Sequence, residues 1–244
     1  MDPATWRIET AVASAAELHA MDVPTERLVR VNRVTAPCLV LGSRGDPQRY
    51  RGVLRREVEL AVRRSGGGAV WLSPGSQVWI DVVVPLDDPL HTHDIRRSAV
   101  TVGEAWMRAL EIEDTSVWSA AMTEPRLSEL ACFAGVGPGE VLHGGRKLVG
   151  ISQRRTSRWS RFQCVLYLTW DPSPLLAVLA PSVGPGSPGT SGDRTASATS
   201  EWARLEAQLT HGVAVLPPGH PARCEQFPDQ VLAGSLAGAL GSPA

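Results

Sequence analysis

The sequence predicts an α+β fold, a mixed or antiparallel β-sheet with flanking helices. Several short segments alternate apolar and polar side chains, the period-2 mark of half-buried strands. A few segments carry a helical period, but they do not alternate strictly with the strands as a doubly wound sheet requires. Glycine and other turn formers punctuate the strands at short intervals.

Residues 10–19 are alanine-rich and read as mildly helical. LVRVNRV alternates as a strand, and Pro37 introduces CLVLG, a short buried strand closed by Gly42. EVELAVRR alternates again with Val58, Leu60 and Val62 on one face, and QVWIDVVVP follows with Val78, Ile80, Val82 and Val84 sharing a face. Asp94 suits a helix N-cap, with Ala99, Val102, Trp106 and Leu110 (or Ala109) as the core-facing stripe behind it. EVLHGGRKLVGISQRR reads as a hairpin turning at Gly144 and Gly145. RFQCVLYLTW is a further strand with Phe162, Cys164, Leu166 and Leu168 on one side. Residues 180–200 are rich in Pro, Gly and Ser and are expected to form a flexible linker. A short helix then starts near Ser200, with Trp202, Leu205 and Leu209 as its stripe and Gly212 as its end. The expected organisation is a catalytic unit over 1–181, a linker over 182–200 and a short helical tail over 201–244.

Bulk properties exclude several classes. The 244 residues have room for one substantial core, and a formal net charge of −1 supplies no field for binding nucleic acid or an acidic membrane. No apolar run approaches the ~20 residues of a membrane span. The N-terminus lacks the basic and apolar regions of a signal peptide. Cys38, Cys132, Cys164 and Cys224 form no CxxC pair, which argues against a zinc site or a disulfide framework and for a reducing, cytoplasmic setting.

Two segments carry chemistry. RRSGGGAV follows a strand, and its three glycines let the backbone approach a ligand and offer N–H groups to an anion. Arg63 and Arg64 add forks suited to phosphate or carboxylate. The alternative is a plain turn with solvated arginines, and the segment is neither a Walker A loop nor GxGxxG. GGRKLVGISQRR places Lys147 after a tight turn, with Gly150 three residues later. A lone strand lysine is ordinarily solvated. Two glycine-lined strands that each bring a cation can instead clamp an acyl phosphate anhydride, the lysine polarising the acyl carbonyl.

RRSGGGAV followed by GRKLVGISQRR, with LVLG and the CF–E–GRK–G–Q–R spacing, resembles the lipoate–protein ligase A family within the biotin/lipoate ligase and octanoyltransferase superfamily. The resemblance covers residues 28–181, and the biotin-ligase signature GRGRxxxxW is absent. It implies a biotin/lipoate ligase-like catalytic domain. It also implies attachment of lipoate or octanoate to a lysine of lipoyl domains, in 2-oxoacid dehydrogenases or the glycine cleavage H protein, through an acyl-adenylate made with ATP and Mg²⁺. Carried over, Arg63 or Arg64 with Ser65, Gly66, Gly67, Gly68, Ala69, Val70 and Trp71 would line the adenylate site. Gly150, Ser152 and Gln153 would border it, and Lys147 would contact carbonyl and phosphate. Glu140 would hold adenine, ribose or Mg²⁺, or cap the hairpin.

ACFAGVGPGEVLHGGRK also resembles a branch of octanoyltransferases whose cysteine, here Cys132, accepts octanoate from acyl carrier protein as a thioester. A nearby cation such as Lys147 would assist that thiol, or Cys132 is simply buried beside Phe133. A third possibility is a non-catalytic relative that binds an acyl group or a lipoyl domain. Trp71 and Trp79 are the tryptophans expected to meet an acyl chain. Arg154, Arg155, Arg158 and Arg161 form either a solvated loop or a patch that steers an acidic partner. Many relatives carry His-Gly where this chain has Cys164 and Val165.

Overall fold

The computed structural model describes residues 5–183, 194–224 and 228–241. The alternating segments become β2 (Leu28–Val34), β6 (Gln77–Pro85) and β10 (Trp159–Tyr167), the middle of a seven-stranded sheet. Its order is β1-β2-β6-β10-β9-β8-β7, completed by β1 (Arg7–Ala13), β7 (Thr115–Val117), β8 (Val141–His143) and β9 (Arg146–Arg155). β1 runs parallel to β2 and every other neighbouring pair is antiparallel. A second sheet of three strands has the order β4 (Glu59–Val62), β3 (Cys38–Leu41), β5 (Val70–Leu72).

The pleat sends successive side chains of the large sheet to opposite faces, and the two faces differ. Val78, Ile80, Val82 and Val84 with Phe162, Cys164 and Leu166 face the larger core under helices α2 (Ile95–Leu110) and α6 (Pro228–Gly241). Asp94 caps α2, its Oδ1 accepting from the N–H groups of Arg96 at 2.8 Å and Arg97 at 3.0 Å. Val102, Trp106 and Leu110 are the buried stripe behind that cap. Leu232, Leu236 and Leu240 of α6 are buried in the same core, each contributing about 1.5–3 kcal/mol. Arg33 and Asp229 tie α6 to β2 through bonds of 2.6 and 2.8 Å.

The other face carries Trp79, Asp81, Arg161 and Gln163. Helix α1 (Ala15–Ala20) and the small sheet pack on Trp79. Helix α3 (Pro125–Leu130) contributes Leu127 to a second core with Phe133 and Tyr167.

Several elements differ from expectation. Residues 7–13 pair in register with β2, and only then does α1 begin. Its start is a capping box, in which Ser14 Oγ accepts from Glu17 N at 3.2 Å and Ser14 N donates to Glu17 Oε2 at 3.0 Å. β4 buries Ala61 and leaves Val62 41% exposed, because as an edge strand its inward residue is the one that meets Trp79's cluster. Helices α4 (Ser173–Val183) and α5 (Arg194–His211) reach into the segment expected to be a linker. α5 begins at Arg194 because RTASATS contains neither glycine nor proline; residues 184–193 lie outside the described residues. Leu205 and Leu209 of α5 join the second core.

The chain after α5 bonds directly to the strand that bears Lys147. Lys147 N donates to Gly212 O at 2.8 Å, and Ala214 N donates to Lys147 O at 2.8 Å. No described helix is long and apolar enough to cross a membrane.

Candidate active site

Arg63 follows β4 and turns inward, while Arg64 stays in solvent. The Arg63 guanidinium is gripped by the glycine bend itself. Its Nε and Nη2 donate to Gly66 O at 3.1 and 2.9 Å, and Nη2 also donates to Gly68 O at 2.8 Å. The bend needs its glycines. Gly67 has φ +97°, and a Cβ there would stand 2.8 Å from Arg63 Nη2 and 3.6 Å from Cys132 Sγ. A Cβ on Gly42 would lie 1.9 Å from Gly67 O. Arg63 is 4% exposed, its Nη1 has no partner, and among the described residues no carboxylate pairs with it. Burial pulls its pKa down, and the adjacent Cys132 opposes that shift.

The β8–β9 hairpin turns at Gly144 and Gly145, with φ of 55° and 74° as a primed turn requires. Lys147 then enters the interior rather than solvent. Its Nζ lies 2.7 Å from Glu140 Oε2 and donates to the carbonyl oxygen of Cys132 at 2.7 Å, 5.0 Å from the centre of the Phe133 ring. Glu140 Oε2 also accepts from Gly137 N at 2.7 Å, and Oε1 accepts from Ile151 N at 3.2 Å. Both carboxylate oxygens are therefore occupied from within the chain.

Cys132 starts a single 3₁₀ turn after α3 and is anchored by its N–H to Ala69 O at 2.9 Å. It lines a narrow cavity of about 40 Å³, together with Arg63, Phe133 and Gly150. The remaining walls are mainly apolar: Val40, Val70, Leu72, Trp79 and Val165. The strand register gives the cavity its direction. Gly150 pairs with Val165, and Val165 with Trp79, so it crosses two strand spacings, about 10 Å.

At the Trp79 end lies His19, 7% exposed, its ring tilted on the indole at 4.6 Å between centres. A hydrogen-bonded relay holds it. Gln163 Nε2 is 3.1 Å from His19 Nδ1, Ser65 Oγ donates to Gln163 Oε1 at 3.3 Å, and Ser65 and Ser152 hydroxyls are 3.0 Å apart. Burial pushes the His19 pKa down to about 4, with Asp81 opposing and Arg161 and Arg63 assisting. Asp81 is itself buried against Arg161, at 2.5 Å from Nη2 and 3.1 Å from Nε, and takes the Trp79 indole N–H at 3.0 Å.

The lipoyl protein ligase A/B catalytic domain matches residues 8–209 of this chain, the stretch that contains both sheets and the cavity. The chain belongs to that family. The family's fold is also the one seen in solved structures. Protein Ta0514 from T. acidophilum matches at a TM-score of 0.55 and 16% identity over 95% of this chain and 94% of that chain. The same protein with bound lipoic acid matches at 0.51 and 17% over 82% and 78%. A lipoate-protein ligase A bound with ATP matches at 0.53 and 17% over 96% and 94%. At such identities the likeness is one of fold. No curated protein matches at a significant level.

For this lipoyl ligase family member, the residues singled out in the sequence fall into three groups. Arg63, Val70, Cys132, Gly150 and Ser152 line the cavity, with Ser65 and Gly67 against its wall. Lys147 and Glu140 are paired with each other outside its lining, and Lys147 bonds the carbonyl of Cys132. The rest point elsewhere. Strand alternation turns Trp71 away from its neighbours Val70 and Leu72, and its Nε1 donates to Ser73 Oγ at 3.0 Å. The Gln153 amide meets Ser98 Oγ of α2 at 3.0 Å. Gly68 and Ala69 border a separate surface groove, and Gly66 is exposed. The arginine cluster is dispersed: Arg161 is buried on Asp81, and Arg155 is bound to Ser98 Oγ at 2.5 Å and His93 O at 3.0 Å. Cys38 is buried and pushed up to about 12, and Cys164 is raised further by its burial in the larger core.

His19 and Gln163 escaped the sequence reading. A single histidine in a short helix carries no spacing signal, and only the β10–β9 register brings Gln163 beside Ser152.

Proposed function

We propose that this protein transfers a lipoyl or octanoyl group to a lysine of a lipoyl domain by way of a thioester on Cys132. The observation that carries the reading is the position of Cys132. Its sulfur is beside the glycine bend at the wall of an apolar cavity, and its own peptide is fixed by Lys147.

In the first step the Cys132 thiol attacks the carbonyl of an acyl thioester presented by an acyl carrier protein. The new S–C bond forms, the carrier's C–S bond breaks, and the carrier thiol departs with the proton. The lysine amine of a lipoyl domain, from a 2-oxoacid dehydrogenase or the glycine cleavage H protein, then attacks the Cys132 thioester. An amide forms, and Cys132 leaves as a thiol, taking a proton from the amine. The Arg63 guanidinium supplies a buried donor for the oxygen that becomes negative in each step. Lys147 acts as a positioning residue, with Glu140 balancing its charge. The acyl chain lies across β9, β10 and β6 towards Trp79.

A second reading, transfer through an acyl-adenylate, has one observation in its favour. A groove of about 330 Å³ is bordered by Gly67, Gly68, Arg44 and Arg49, with Asp46 and Glu129 beside them, and its cations suit the phosphates of ATP. Glu140 Oε2 is engaged by Lys147 and Gly137 and Oε1 by Ile151, so in either route its carboxylate balances the buried ammonium. The two routes separate on incubation with apo lipoyl domain and either octanoyl carrier protein or octanoate plus ATP, with Cys132→Ser alongside. The thioester route predicts product from the carrier only, abolished by Cys132→Ser. ATP-dependent product that survives Cys132→Ser would overturn it in favour of the adenylate.

A further inference from the structure

Two cavity-lining side chains hold a buried nitrogen without a partner, Arg63 and His19. Arg63 is accounted for by the proposed chemistry beside Cys132. His19 is not, because it sits at the Trp79 end, about two strand spacings away.

The relay fixes what His19 offers. Ser65 gives its proton to Gln163 Oε1, Gln163 Nε2 gives one to His19 Nδ1, and the imidazole proton of the neutral ring is therefore on Nε2. That nitrogen is the orphan. This donor is already without a partner in the free protein, so a saturated chain leaves it as it is, and only a chain that brings an acceptor gains by meeting it. A chain that ends in sulfur brings a weak acceptor for the N–H and a polarisable atom for the Trp79 ring edge.

We propose that His19 is a specificity-determining residue, which makes the cavity favour a medium-length acyl chain ending in a sulfur-bearing ring, the lipoyl group, over the saturated octanoyl chain. The proposal rests on the reading of this cavity as the acyl site. The distance supports it: a chain attached at Cys132, above Gly150, that crosses β10 to Trp79 covers about 10 Å, so its far end meets His19.

The test is calorimetric binding of lipoate and octanoate to the whole protein, without donor or acceptor, for the parent, His19→Phe and His19→Gln. Folding of each is checked by circular dichroism. The parent is expected to bind lipoate about fivefold more tightly than octanoate, the scale of one weak hydrogen bond. His19→Phe is expected to bring the ratio near one by weakening lipoate, and His19→Gln, which keeps a donor, to retain part of the preference. Equal affinities in the parent, a ratio untouched by His19→Phe, or no binding of either acid would overturn the proposal. Should His19→Phe not fold, Gln163→Met removes the group that sets the imidazole proton, and an unchanged ratio there overturns it equally. A lipoate preference in a protein whose Cys132 is never acylated would sink the transfer reading and leave this one standing.

Discussion

Lys147 donates its ammonium proton to the backbone carbonyl of Cys132 at 2.7 Å, across fifteen positions of sequence, while it pairs with Glu140. The lysine that the sequence nominates to meet a ligand thus has two of its three donors engaged within the chain. Among the described residues, the cation at the cavity that no carboxylate pairs with is Arg63.

Replacing Lys147 by Ala should reduce stability as well as transfer, because it strands the Glu140 carboxylate in the interior at a cost of about 3–5 kcal/mol. The double variant Lys147→Met with Glu140→Gln removes both charges and should regain most of the lost melting temperature without regaining transfer. Thermal unfolding and an acylation assay on the three proteins check this. A double variant as active as the parent would show that Lys147 does not position Cys132.

Arg63→Gln should cost both stability and rate. It removes the bonds to Gly66 O and Gly68 O that hold the bend, so stability should fall by about 1–3 kcal/mol, and loss of one donor to the developing oxyanion should slow transfer about 10²-fold. Rate constants with saturating acyl donor, next to melting temperatures, separate the two effects.

Gly42→Ala should disable the site from outside it. The added methyl would stand 1.9 Å from Gly67 O, so the glycine bend must move, and Arg63 with it. A loss of transfer of about tenfold or more is expected with a stability change of about 1–3 kcal/mol. Retained activity would show that the bend's position is unimportant.

The buried His19 adds an acid-sensitive component to stability. Its folded pKa is about 4 against 6.5 for the free side chain, chiefly through burial, with Asp81 raising it and Arg161 and Arg63 lowering it. Between these values the unfolded chain takes up a proton that the folded imidazole refuses, so folding weakens as pH falls from 6.5 to 4 and is unaffected by this group above 6.5. The full effect is roughly 3 kcal/mol. His19→Phe should therefore show a shallower fall in melting temperature than the parent over this window, and parallel curves would contradict it.

The strands of the central sheet were legible because their alternation coincides with a sheet that is apolar on one face and polar on the other. LVRVNRV and QVWIDVVVP became β2 and β6 over the whole of those segments. β1 was not, because RIETAVA is set by pairing with β2 rather than by its own pattern. α6 was obscured by the alanines and glycines between Leu232, Leu236 and Leu240. In the site, glycines, Arg63 and Cys132 were visible as residue types at telling intervals. Their assembly was not, since it depends on Lys147 bonding a carbonyl and on Trp71 and Trp79 falling on opposite sides of their strands' walls.

The most direct measurement is peptide mass spectrometry after a brief exposure of the whole protein to an octanoyl carrier-protein thioester. An octanoyl adduct on Cys132 that hydroxylamine removes, and that apo lipoyl domain discharges with formation of an acyl-lysine, is the predicted result. Acylation of the lipoyl domain at the parent rate by Cys132→Ser, with no adduct at any time, would contradict it.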